Sequence, residues 1–253
     1  SRQIFPRYPL TRGTGNAIIA CLDAFEAGGG TWFQEQSETL IRGTIHPNDD
    51  IAARNLLNPE DTWSYTVLLV AVAKYLDTKR ELDQLDDRFC YARNCLLSYA
   101  GWMLNHELPY LEKPELLEYP NETWAAQDLR KSVILYHASR YAAPEMQQSF
   151  REKSRYFLHV AQNELMRHPT RSFTRPIALI LQNDWIATWL DQKVPENFPP
   201  LPPLPSGPPT PVLNLQQVAV RIASEVWQAI THFNIQREVN WLQLRLKNRR
   251  HQP

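Results

Sequence analysis

Tyr119-Pro120-Asn121-Glu122-Thr123-Trp124-Ala125-Ala126-Gln127-Asp128-Leu129-Arg130-Lys131 reads as a turn that runs directly into a helix, and the way this helix is populated decides the fold. Pro120 and Asn121 mark the start. Glu122 then falls in the first turn, where free backbone N–H groups and the positive end of the helix dipole favour an anion. By helical angle, Glu122, Ala125, Leu129 and Val133 share one face, while Trp124, Gln127, Lys131 and Ile134 share another. A helix with apolar residues on two sides is enclosed between neighbours. Charges enclosed with it need partners, so Asp128 is expected to pair with Lys131 or Arg130.

The same kind of opening stands earlier in the chain, where Asn58-Pro59-Glu60-Asp61-Thr62-Trp63 precedes another apolar helix. Two such helices, side by side and pointing the same way, would join their starts into one rim carrying acids and indoles. Helical spacing continues throughout, with no period-two alternation, and predicts helices at about 15–28, 31–43, 60–77, 86–107, 121–142, 145–168, 175–191 and 214–247. Gly28-Gly29-Gly30, Pro144 and Pro169 punctuate them. The runs Ala17-Ile18-Ile19-Ala20-Cys21-Leu22, Val67 to Ala73 and Ile177 to Leu181 are apolar nearly all round, whereas Asp86 to His106 and Arg151 to Arg167 carry charge on one face. The expected fold class is therefore all-α: helical hairpins in two layers, with inner helices starting near 16, 61, 121 and 176 and amphipathic outer helices between them.

The chain has 253 residues, 43% hydrophobic and 21% charged, with 27 basic residues balancing 27 acidic ones. That size and composition describe a soluble globular body, and the charge balance gives no footprint for nucleic acid. The basic run Arg245-Leu246-Lys247-Asn248-Arg249-Arg250 reads as a solvated helix end. Cys21, Cys90 and Cys95 cannot all pair and match no zinc spacing, which points to a reducing compartment such as the cytoplasm. No run approaches the roughly 18 apolar residues of a membrane span, and Ser1 to Leu10 has no signal-peptide character. The abrupt start beside an apolar helix reads as a piece of a longer protein.

Nine of the 20 prolines fall between Pro195 and Pro211. Polyproline II over about seventeen residues reaches on the order of 50 Å, which makes this stretch a semi-rigid strap. The expected organisation is a helical-hairpin domain at 1–193, the strap at 194–212, and a C-terminal helix with a basic tail at 213–253. Leu215, Val218, Ile222, Val226, Ile230 and Phe233 form that helix's apolar stripe, expected to dock on the domain. Strap and last helix are also the places where a protein partner would attach.

Hairpins over about Arg12 to Leu190, with acids and tryptophans at the inner N-termini, resemble the α/α-toroid superfamily of carbohydrate-active proteins: six-hairpin glycosidases, heparinase-type polysaccharide lyases and N-acylglucosamine 2-epimerase-like enzymes. The resemblance is architectural. It implies a partial or complete α/α toroid with a saccharide cleft at one end of the inner helices. Glu122, with Glu60, Asp61, Asp49 or Asp50 opposite, would act in acid/base roles, since glycoside hydrolysis needs two carboxyl groups roughly 5–5.5 or 6.5–9.5 Å apart. Trp63, Trp124, Tyr119, Arg12, Asn16, Asp49, Asp50, Gln127 and Arg175 would contact the sugar. Each has a plainer reading: Glu122 and Asp61 as helix-starting acids, Asn48-Asp49-Asp50 as a turn, and Gly13-Thr14-Gly15-Asn16 as a tight entry to the first inner helix. His106, His137, His159 and His168 show no ligand spacing, so no metal and no cofactor is assigned. A non-catalytic helical domain that binds a glycan or a protein stands as the alternative to an enzyme.

Overall fold

The computed structural model describes residues 6–167, 174–191 and 215–231, with 234–236, 239–240 and 243, and among them regular structure is helical throughout, with no strand. The α-helices are α1 (Arg12–Glu26), α2 (Thr31–Thr44), α3 (Pro59–Thr62), α4 (Tyr65–Glu81), α5 (Asp87–His106), α6 (Glu122–Tyr141), α7 (Pro144–Arg167), α8 (Thr174–Asp191) and α9 (Leu215–Thr231). The protein is all-α. Local chemistry accounts for the ends. Asn121 accepts the Thr123 N–H at 2.9 Å, and Asp86 accepts those of Arg88 and Phe89 at 3.1 and 2.9 Å. Gly28 and Gly30 adopt φ of 90° and 87°, which lets the chain reverse between α1 and α2.

The expected helix at 60–77 is divided. Around Trp63 the ladder tightens to i→i+3 bonds, Thr66 N–H to Trp63 O at 3.2 Å and Val67 N–H to Ser64 O at 3.1 Å, so the short α3 ends before α4 begins. Trp63 thus stands at a joint rather than inside a helix. Asn58 caps no backbone group there; its amide donates to Asp61 Oδ2 at 2.7 Å.

Two compact units divide the chain, Ser1–Pro211 and Val212–Pro253. In the first, α1 packs on α4, α4 on α6 and α6 on α8, forming an inner row, while α2, α5 and α7 pack against it as hairpin partners. Side chains fix the directions. Lys74 Nζ pairs with Glu26 at 3.1 Å near the end of α1, and Gly15 near its start lies against the backbone of Val67 and Leu68, so α1 and α4 are parallel. Glu60 accepts the Glu118 N–H at 2.7 Å before α6, and Asp77 pairs with Arg140 at 2.8 Å near its end, so α4 and α6 are parallel too. The two helices whose starts carry acid and tryptophan are side by side and point the same way.

The core runs along α4, α5 and α6, from Leu68, Val72 and Tyr75 to Phe89, Leu96, Tyr99, Ile134 and Leu135. On α7, Phe150, Phe157, Leu158 and Ala161 are buried, while Glu145 and Glu152 are exposed and Arg151, Lys153 and Arg155 are half-buried. Enclosure on all sides holds for α4 and α6 but not for α1 or α8. Ala17 and Ala20 on α1 are exposed, as are Ile177 and Leu181 on α8, because these helices end the row and have an inner neighbour on one side only.

In the second unit, α9 ends at Thr231, within the expected 214–247. Its Ile222, Val226 and Ile230 are exposed. The remaining stripe side chains, the strap at 194–212, His168, Pro169 and the side chains of Trp185 and Trp189 lie outside the described residues. No described helix is long and apolar enough to cross a membrane.

Candidate functional site

At the N-terminal rim of the inner row, two helices address one indole. The Arg12 guanidinium, from the first residue of α1, lies 6.0 Å from the Trp63 ring centroid, and that of Arg175, at the start of α8, lies 5.7 Å from it. Both distances are within cation–π range. A third guanidinium, Arg130 of α6, hydrogen-bonds the Gln127 side chain one turn earlier. Burial lowers Arg130 from the ordinary arginine range to about 10; nearby Tyr110 opposes this, and the charges of Arg175 and Arg12 reinforce it. The four side chains therefore share one electrostatic neighbourhood. No carboxylate among the described residues pairs with Arg12, Arg130 or Arg175.

Tyr110 closes this neighbourhood from the loop after α5. It stands edge-on to Trp124 at 5.1 Å, and its buried hydroxyl has no hydrogen-bond partner among the described residues. Beneath it lies a buried cluster. Lys131 Nζ is 2.8 Å from Glu107 Oε2, 3.0 Å from Asp128 Oδ1 and 3.4 Å from the Tyr110 ring centroid, and it donates to Leu108 O at 2.8 Å. Tyr65 O–H donates to Glu107 at 2.6 Å, and Asp128 accepts the Tyr110 N–H at 3.0 Å. Burial raises the Asp128 carboxyl against the pull of Lys131. It would lower the Lys131 ammonium, but Asp128, Tyr110 and Glu107 raise that group above its ordinary value. A cavity of about 50 Å³ opens beside Glu107 and Tyr110, walled by Leu56, Pro59 and Leu116. That volume is far below the roughly 300 Å³ of a small-ligand pocket.

The structure sorts the expected site residues. Trp63, Arg12 and Arg175 converge, with Arg130 added. Trp124 and Glu122 are half-buried at the start of α6, and Tyr119, 70% exposed, stands just before it. Glu60 is exposed and holds the Glu118 N–H, while Asp61, also exposed, accepts the Asn58 amide; both tie loops together. Gln127 is buried and turned to Arg130. Asn16 is exposed on α1. Asp49 is used internally: one oxygen accepts the His46 N–H at 2.9 Å, Arg54 at 2.7 Å and the Tyr99 hydroxyl at 2.7 Å, which pins the loop after α2 to α5. Exposed Asp50 caps the Ala53 N–H at 3.3 Å. This pair serves the turn, because Asp49 is engaged by the loop and by Tyr99 of α5, and Asp50 caps the loop's own backbone.

Arg130 and Tyr110 are the residues that the sequence did not single out for the rim. The Gln127-x-x-Arg130 spacing was the available signal for the first, an i,i+3 pair on one face. Tyr110 lies in a short 3₁₀ turn with no periodicity to place it.

No family model matches this chain, and neither a curated protein nor a solved structure matches it.

Proposed function

We propose that this domain binds a saccharide at the N-terminal rim of its inner helices and does not turn it over. A row of parallel inner helices backed by antiparallel partners, with aromatic and charged residues at one end, is the arrangement that an α/α-toroid type of sugar-binding cleft requires. One observation carries the reading: guanidiniums from α1 and α8 that can hold a ligand meet over Trp63, with Arg130 of α6 within their electrostatic reach, while the rim carboxylates Glu60 and Asp61 are occupied as loop ties. Catalysis by paired carboxyl groups needs two of them aimed at a common point. Binding needs a platform and directional donors, and Trp124, Tyr119 and the arginines supply these.

A saccharide panel measured by calorimetry tests this. A binding domain gives a saturable heat that Trp124→Ala or Arg175→Gln diminishes, with no new reducing ends or unsaturated products on long incubation. No heat with any saccharide removes the proposal.

The acid/base reading has one observation in its favour: Glu122 is half-buried at the first residue of α6, on the same rim.

A further inference from the structure

From the charge arrangement at the rim we infer that the saccharide is acidic, and that its carboxylate or sulfate is received by Arg12, Arg130 and Arg175. The inference rests on the saccharide reading and names its ligand class. Three guanidiniums brought together repel one another, and nothing among the described residues neutralises them. A protein with equal numbers of acids and bases has ample carboxylates to spend; here it spends them on Lys79, Lys131, Arg54 and Arg140 and leaves this group without one.

The surroundings reinforce the same sign. α1, α4 and α6 are parallel and direct their positive ends to this rim, and Arg175 at the start of α8 places that helix's N-terminus there too. The buried Tyr110 hydroxyl, with its hydrogen-bonding capacity unused, lies within electrostatic reach of Arg130 and offers an oxyanion one further donor. Trp63 has a different part from the stacking platform that its position first implies. With two guanidiniums over its ring, it holds Arg12 and Arg175 in place, which leaves Trp124 and Tyr119 to meet the sugar ring. Guanidinium donors match the planar, two-oxygen edge of a carboxylate or sulfate. A nucleic-acid strand is the poorer fit, since the positive charge is confined to one spot on a chain of zero net charge.

Calorimetry on the full chain with four ligands tests the inference: an oligouronate, the same oligomer with its carboxyl groups reduced to alcohols, inorganic sulfate, and a single-stranded oligothymidylate. The expected result is saturable oligouronate binding that weakens as salt rises, with at least tenfold weaker binding of the reduced oligomer. Arg175→Gln and Arg12→Gln, both at exposed positions, should each cost about tenfold to a hundredfold in oligouronate affinity, and Arg130→Gln a similar factor if it folds. Lys74→Gln, a charge removed from another part of α4, should leave it unchanged. Equal binding of the reduced oligomer overturns the acidic assignment and leaves the saccharide reading standing. Sulfate binding that the arginine variants abolish, with neither oligomer bound, overturns the saccharide reading and this assignment together. Oligothymidylate bound as tightly as oligouronate overturns the assignment in favour of simple polyanion attraction.

Discussion

Lys131 Nζ and Glu107 Oε2 lie 2.8 Å apart in a place where neither side chain is more than 5% exposed. An ammonium there survives because Glu107, Asp128 and the Leu108 carbonyl surround it. Lys131→Met removes the centre and leaves two carboxyl groups buried without it. The expected loss is about 3–5 kcal/mol, the usual cost of stranding one side of a buried ion pair. Urea unfolding measures it, and a loss under about 1 kcal/mol would mean that the two acids find other partners at little cost.

Gly15 and Gly101 should respond to alanine in opposite directions. A Cβ on Gly15 would lie 2.9 Å from Leu68 N and from Val67 C, backbone atoms of α4 that cannot swing aside, whereas a Cβ on Gly101 meets nothing within 4 Å. Gly15→Ala forces α1 off α4 and should cost about 1–3 kcal/mol. Gly101→Ala lies inside α5, where it restricts only the unfolded chain, and should gain about 0.5–1 kcal/mol. Thermal unfolding of the two variants side by side checks both signs. A stable Gly15→Ala variant would show that the α1–α4 contact is looser than the distances imply.

Much of this fold is legible in the chain because enclosure leaves a periodic trace. The angular spread of apolar residues over Trp124 to Ile134 marks α6 as sandwiched, and the Asp128–Lys131 pair follows from the cost of burying either charge alone. The ends of the inner row are not legible in this way. Ile18, Ile177 and Leu181 look alike in sequence, yet Ile18 is buried and Leu181 is 70% exposed, since exposure there depends on how many inner helices flank the row. The rim divides along similar lines. The parallel starts of α4 and α6 follow from two matching helix openings. The gathering of Arg12, Arg130 and Arg175 does not, because three residues from distant helices carry no shared spacing. Asp49 illustrates the converse: its neighbours Asn48 and Asp50 announce a polar site, and only the positions of Arg54 and Tyr99 reveal that the loop consumes it.

Glu122→Gln separates binding from acid/base chemistry. Glu122 opens α6, so losing its charge near the helix dipole should cost only about 0.3–1 kcal/mol of stability. The binding reading expects oligosaccharide affinity within about threefold of the unaltered protein and no product from either form. Product release by the unaltered protein that Glu122→Gln abolishes would put Glu122 in the reacting position and displace the binding reading.

His137 should make stability depend on pH below neutrality. The imidazole is buried on α6, its Nδ1 is 3.5 Å from Asp77 Oδ2 without an aligned hydrogen bond, and Arg140 holds the other Asp77 oxygen at 2.8 Å. Burial lowers its pKa from the ordinary value of 6.5; Asp77 opposes this, and Arg80 adds to it. The folded chain therefore keeps His137 neutral at a pH where the unfolded chain has protonated it, so the unfolded state binds more protons and stability rises with pH across that window. The contribution is present above pH 6.5 and is lost as pH falls through the lower folded value. In His137→Gln the contribution is gone. The unaltered protein should thus lose more of its melting temperature than the variant between pH 7.5 and pH 5, measured at fixed salt by scanning calorimetry. Melting curves that fall in parallel for the two proteins would show that His137 takes up its proton inside the fold as readily as in the unfolded chain, by drawing Asp77 into a full ion pair.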